Sequence, residues 1–172
     1  VLWAAPVDTT FHARFAATAR HYVYLLQNRA ERPALLAGRV GWYHRPLDLD
    51  AMQRAAERLV GTHDFSAFRA AECQAKSPVK TLARAEVRRD GALLRFEFSA
   101  NAFLHMVRNL VGALVEIGAG RRDVGWIGEL LDARDRTRGA ATFAADGLYF
   151  CGADYDARFG LPPTRRDVTI AN

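Results

Sequence analysis

Asp90-Gly91, set between the alternating stretches 81–89 and 92–100, constrains this sequence more than any other feature. An Asp-Gly pair with such flanks predicts a β-hairpin closed by a two-residue turn. Centred on Asp90-Gly91, the register sets Glu86 against Arg95 and Arg84 against Glu97 on one face. On the other face Ala83, Ala85 and Val87 oppose Phe98, Phe96 and Leu94. A slip of one residue would exchange the two faces.

Other elements follow from periodicity. Tyr22, Tyr24 and Leu26 alternate with Val23 and Leu25, which predicts a strand at 19–28 with two apolar faces. Pro33 and Pro46 punctuate a long connector. A helix is expected at 48–60, capped by Asp48 or Asp50, with Met52, Ala55, Ala56, Leu59 and Val60 inward and Gly61 at its end. Residues 62–79 read as a loop with one helical turn. A helix at 101–117 carries Phe103, Met106, Val107, Leu110, Val111, Leu114 and Val115 on a broad apolar face. A shorter helix at 123–133 turns Trp126, Ile127, Leu130 and Leu131 inward, and a last strand spans 147–155.

The order β-α-β-β-α-(α)-β predicts an α+β, ferredoxin-like split βαβ: an antiparallel sheet with helices on one face and the other face open. The expected organisation has three parts. Residues 1–10 form a strand bridging to an N-terminal half not included here, because Val1-Leu2-Trp3-Ala4-Ala5 is an apolar run without an initiator Met. Residues 11–160 form the domain, and 161–172 a loose polar tail.

Half of the 172 residues are hydrophobic, which excludes a disordered chain. No run reaches the ~18 apolar residues of a membrane span, and two cysteines are too few for a disulfide scaffold. A cytoplasmic location is expected. The net charge is +5, and Lys76 and Lys80 are the only lysines among 24 basic residues, leaving 22 arginines. Arginine suits phosphate and base stacking, so the balance favours a nucleic-acid partner, although GC-rich coding raises arginine and alanine together.

There is no phosphate-binding glycine loop, dinucleotide fingerprint or nucleophile elbow. The five histidines are scattered without metal spacing, so no metal is expected. Arg108-Asn109 interrupts an apolar helix: either Arg108 reaches solvent, or it pairs with a carboxylate from elsewhere. Tyr22 lies beside Arg20 and His21. A strand tyrosine is ordinarily packing, whereas a ring on an open sheet face would stack on a base. Arg69, Lys76 and Lys80 surround a loop that is either solvated or contacts phosphate.

Phe11-His12-Ala13-Arg14-Phe15 through Arg20-His21-Tyr22-Val23-Tyr24 closely resembles the second motif of the tRNA pseudouridine synthase A family. Asp64-Phe65-Ser66-Ala67-Phe68-Arg69-Ala70, Cys73-Gln74-Ala75-Lys76-Ser77-Pro78, Asn101-Ala102-Phe103, Met106-Val107-Arg108-Asn109, Asp135-Arg136 and Gly147-Leu148-Tyr149 follow in the family's order. The resemblance implies an isomerase that converts uridine to pseudouridine in the tRNA anticodon stem-loop, at about positions 38–40, on a base drawn out of its stack. It implies a homodimer, no cofactor, and two ferredoxin-like halves sharing one sheet with RNA in the cleft between them. Arg108 is then the ion-pair partner of the catalytic aspartate, Tyr22 the tyrosine stacked on the uracil, and Leu148 a wall of the base pocket. Arg14, Arg20, Arg69 and Lys76 are candidate RNA contacts.

The chain departs from the family in two places. The Gly-Arg-Thr-Asp-Ala-Gly motif that carries the aspartate is absent from these 172 residues. The isolated chain is therefore expected to be inactive, and a degenerate RNA-binding module without catalysis is the alternative. Where the family often has His-His before the Met, this chain has His105 alone. One deleted residue turns a helix by about 100°, which a bulge or loop at 100–105 would absorb.

Overall fold

A computed structural model describes residues 3–70, 77–101 and 106–169. Strand β1 (Ala17–Asn28) is the centre of the sheet. After it come β2 (Gly41–Tyr43), α1 (Leu49–Glu57), β3 (Gly61–Asp64), β4 (Val79–Asp90) and β5 (Leu93–Ala100). Helices α2 (Val107–Gly118) and α3 (Trp126–Ala133) and strand β6 (Leu148–Tyr155) complete the chain.

Across the sheet the order is β2-β1-β5-β4-β3, with β6 also paired to β1. The β6-β1-β5-β4 core is antiparallel throughout and has the expected split βαβ connectivity. β2 runs parallel to the last residues of β1, and β3 extends the far edge against β4. Both lie within stretches read from sequence as connector or loop. At three and four residues they are too short for a period-two pattern to register.

The hairpin forms, but one position later than its sequence predicts. Asp90 pairs with Leu93, so Gly91 and Ala92 are the central turn residues. Gly91 has φ +58°, and Arg134 is the only non-glycine residue with positive φ among the described residues. A type II′ turn needs positive φ only at its first central position, whereas a type I′ turn on Asp90-Gly91 would force Asp90 into it as well. The register therefore moves by two residues: Glu86 faces Glu97, Arg88 faces Arg95, and Ala85 and Val87 face Phe98 and Phe96. Because side chains alternate with period two, both faces survive the shift. The expected Glu86–Arg95 pair is absent among the described ion pairs, while Arg84 reaches Glu97 diagonally at 3.1 Å. An irregularity between Leu82 and Arg84 places Ala83 outward and Leu82 in the core.

One face of the sheet carries the core. Tyr22, Tyr24 and Leu26 of β1, Phe96 and Phe98 of β5, and Leu82 and Val87 of β4 pack against α1 and α2. Asp48 caps α1, its carboxylate accepting from the Ala51 amide at 2.9 Å, an interaction worth about 1 kcal/mol. The helix stops at Glu57, earlier than expected, so Leu59 stays buried but Val60 turns outward. In α3, Trp126, Ile127 and Leu130 are buried as expected and Leu131 is half-buried.

The opposite face is not bare. Val23, Leu25, Val40 and Cys151 form a small apolar cluster beside buried His21, Arg95, Glu97 and Ser99. The tail lies across part of it: the Arg166 amide donates to the Cys151 carbonyl at 2.8 Å. The expected loose segment after residue 163 is thus seated as far as Val168. Trp3 to Asp8 belong to no strand of this chain. The helix expected at 101–117 starts at Val107 as α2: Asn101 is a bend, and 102–105, with the expected inward Phe103, lie outside the described residues.

Candidate active site

The N-terminal turn of α2 brings two of the predicted site residues, Arg108 and Arg69, to one cleft. Gly112 lets the chain from Ala140 to Phe143 lie directly on this helix: a side chain there would strike the Ala141 carbonyl. That approach seats Phe143 beside Arg108. Arg108 Nε donates to the Phe143 carbonyl at 2.6 Å, and the Phe143 amide donates to the Arg108 carbonyl at 3.2 Å. The guanidinium plane is thereby oriented. Among the described residues, no carboxylate lies within ion-pair distance of it.

Asn109 holds the surrounding loops. It is 3% exposed. Its Nδ2 donates to the Phe68 carbonyl at 2.8 Å. Its Oδ1 accepts from Thr142 Oγ1 at 2.7 Å and from Arg136 Nη2 at 3.1 Å. The loop at Phe68 and the connection between α3 and β6 are joined by one amide whose donor and acceptor are both engaged. Sequence reasoning singled out the Arg108-Asn109 pair but gave Asn109 no role. An amide inside an otherwise apolar helix was the available signal.

A cleft of about 840 Å³ opens here. Arg69, Arg108, Arg134 and Arg136 line it, with Asp135 as the single acidic lining residue among those described. Asp135 is turned into its own loop, where its carboxylate accepts from the Thr137 amide and hydroxyl. Those bonds hold its pKa below the usual carboxylate value. Asp64, at 3.7 Å from Arg134, is likewise lowered, first by the Ser66 hydroxyl. The cleft is therefore strongly positive, a field suited to phosphates.

Tyr22 and Leu148 stand on the same side of the sheet. β1 presents Tyr22 and Tyr24 to the helix side, and β6 pairs Leu148 with Tyr24 and Phe150 with Tyr22. Tyr22 is 7% exposed, so it is not the ring on an open sheet face that one reading allowed. Its ring lies 5.4 Å from that of Phe150, which is 55% exposed. Tyr24 connects this wall to Arg108: its hydroxyl donates to the Ala144 carbonyl at 2.9 Å, and its ring meets Phe143 edge-on at 5.8 Å. Burial pushes the Tyr24 hydroxyl well up, Asp146 adding to this and Arg108 opposing it.

The other named arginines are placed apart. Arg14 is exposed, its guanidinium 5.9 Å from the Phe15 ring. Arg20 is 5% exposed and donates to the Asn101 and Arg14 carbonyls, so it ties backbone together instead of presenting a cation to solvent. Lys76 lies outside the described residues. Among the described residues, no cluster of three His, Cys, Asp or Glu could hold a metal ion, and no helix is long and apolar enough to cross a membrane.

Residues 55–156, more than half the chain, match the family model described as tRNA pseudouridine synthase. The chain belongs to the tRNA pseudouridine synthase family. Its relatives include tRNA pseudouridine synthase A of Dechloromonas aromatica, 59% identical over 168 residues, covering 97% of this chain and 64% of the relative. The synthase A of Thiobacillus denitrificans is 61% identical over 163 residues, covering 94% and 63% respectively. That of Aromatoleum aromaticum is 57% identical over 171 residues, covering 99% and 65%. The chain thus spans just under two thirds of the length of these synthases.

Proposed function

We propose that this chain forms the arginine-and-tyrosine side of the active site of a tRNA pseudouridine synthase acting on the anticodon stem-loop, as a homodimer. The observation that carries the reading is the Arg108 guanidinium, braced by Phe143 inside an arginine-lined cleft and without a carboxylate partner among the described residues. An aspartate from outside these 172 residues completes the pair. It acts on the sugar or base as nucleophile or base. Arg108 keeps it ionised, since an adjacent positive charge favours the carboxylate.

The isomerisation breaks the N1–C1′ bond of uridine, turns the uracil, and forms a C5–C1′ bond. The C5 proton leaves and N1 ends protonated, so no electrons are gained or lost and no redox cofactor enters. By the family resemblance Tyr22, 7% exposed in this chain, is the ring that meets the uracil and assists removal of the C5 proton. Leu148 lines the base pocket. The target base is drawn from its stack to reach these groups. Arg69, Arg134 and Arg136 contact the phosphates flanking it, and affinity for tRNA falls steeply with salt.

Tritium release from tRNA carrying 5-tritiated uridine tests the reading. The expected result is turnover by the full-length protein, none by the 172-residue chain, and loss of turnover in full-length Arg108→Ala. Turnover by the isolated chain, or near-normal turnover by the Ala variant, overturns it.

A further inference from the structure

The sheet face turned away from the helices holds a second cavity, of about 280 Å³, separate from the Arg108 cleft. Its floor is β1, β4 and β5, and its roof is the tail from Arg165 to Asp167. The roof is fastened. Thr164 Oγ1 accepts from the Ala153 amide at 3.0 Å, Arg166 bonds through its backbone to Cys151, and Arg95 Nη1 donates to the Val168 carbonyl at 2.8 Å.

The charges around this cavity do not balance. Arg84, Arg88, Arg95, Arg165 and Arg166 line it, against Glu97 and Asp167. Glu97, with a side chain 8% exposed, lies 2.7 Å from Arg95, 3.1 Å from Arg84, 3.2 Å from Arg88 and 3.7 Å from Arg165. One carboxylate offers about four lone-pair sites, while each guanidinium carries about five N–H donors. Asp167 pairs with Arg95, and from the rim Glu86 pairs with Arg84 and Asp90 with Arg95 at 3.6 Å. That leaves Arg88 and Arg165 sharing Glu97, and Arg166 with no carboxylate in ion-pair range among the described residues. Ser99 Oγ, held by His21 Nδ1 at 2.8 Å, adds a neutral hydroxyl to the wall.

We propose that this cavity is a binding site for a small oxyanion, a phosphate group. Several guanidiniums around a partly enclosed space, with buried Arg95 at its base, are matched by an oxygen-rich anion that accepts bidentate bonds. Its volume lies just below the about 300–1,000 Å³ of sites for drug-sized ligands, so it takes a single phosphate in preference to a nucleotide. The phosphate is either free in solution or part of an RNA backbone, and both present the same oxygens.

Titration of the full-length protein with inorganic phosphate, followed by 31P NMR and thermal unfolding, tests this, with chloride at matched ionic strength as reference. The expected result is saturable, phosphate-specific binding that raises Tm. Arg88→Gln and Arg166→Gln, which both keep the Arg95–Glu97 pair, should each weaken it by about tenfold or more. Arg54→Gln, on the exposed face of α1 and outside both cavities, should leave it unchanged. Absence of saturable binding, or equal weakening by Arg54→Gln, overturns the proposal. If a short single-stranded RNA displaces the bound phosphate, the site belongs to an RNA backbone. If it does not, the site belongs to free phosphate.

Discussion

Arg108 and Phe143 are bonded to each other twice, side chain to carbonyl at 2.6 Å and amide to carbonyl at 3.2 Å. The backbone bond fixes the distance between helix and loop, and the side-chain bond fixes the guanidinium plane. The two terminal nitrogens of Arg108 are then the ones left to receive a carboxylate.

Arg108→Lys should separate charge from geometry. An ammonium keeps the positive charge but is a point donor, unable to bond Phe143 and present a planar fork together. In the full-length protein we expect kcat to fall by about 100-fold, the cost of a misplaced reacting group, with thermal stability nearly unchanged. Single-turnover tritium release and Tm measure the two.

Gly112→Ala places a methyl group against the Ala141 carbonyl. The loop must move off α2, at a cost of about 1–3 kcal/mol for overpacking. The Phe143 bonds move with it, so activity should fall further than stability explains. Urea midpoints read the first effect and turnover of the folded enzyme the second.

Asn109→Ala and Asn109→Asp should differ. Alanine leaves the Phe68 carbonyl, Thr142 and Arg136 without their buried partner, which costs about 1–3 kcal/mol for each group not rescued by water. Aspartate keeps the acceptor for Thr142 and Arg136 and loses only the donor to Phe68. The urea midpoint should order wild type above Asp above Ala.

Glu97 carries a pH signature. Burial alone would raise its pKa, but the Arg95 hydrogen bond and the charges of Arg84 and Arg95 outweigh burial and hold it below the ordinary 4.5. A carboxyl lowered in the folded state contributes stability that is full above the unfolded value and is lost as pH falls from there through the folded value. Urea midpoints measured between about pH 3 and 7 should fall on the acid side in wild type. That slope should be shallower in Glu97→Gln, from a lower neutral plateau.

The two faces of the hairpin were legible because parity alone sorts Arg84, Glu86 and Arg88 from Ala85 and Val87; Leu82, of the charged parity, reaches the core only through the irregularity that turns Ala83 outward. Which residue pairs with which was not legible. Asp90-Gly91 and Gly91-Ala92 are both two-residue turns, and choosing between them depends on backbone φ at Asp90, which no side-chain pattern encodes. An aspartate cap at 48 or 50, and Trp126, Ile127 and Leu130 as an inward stripe, were readable from local spacing, and the structure chose Asp48. The strands at 41–43 and 61–64 were not, because their pairing is set by neighbours and not by their own composition.

The roles of Arg108, Tyr22 and Leu148 came from motif order. Residue chemistry alone left Arg108 between solvent and an ion pair, and Tyr22 between packing and stacking. The sequence by itself determined the α+β order, the alternation that gives each strand its inner and outer face, and the presence of an arginine and an asparagine within an apolar helix. Only the tertiary structure decided that Phe143, 35 residues on, braces Arg108. It also decided that Asn109 ties two loops, and that the tail closes an arginine-lined cavity on the far face. The physical reason is the range of the contacts. Periodicity reports interactions within a turn or a strand, whereas the paths of the aperiodic loops at 140–147 and 161–168 are set by where the packed sheet and helices let them lie.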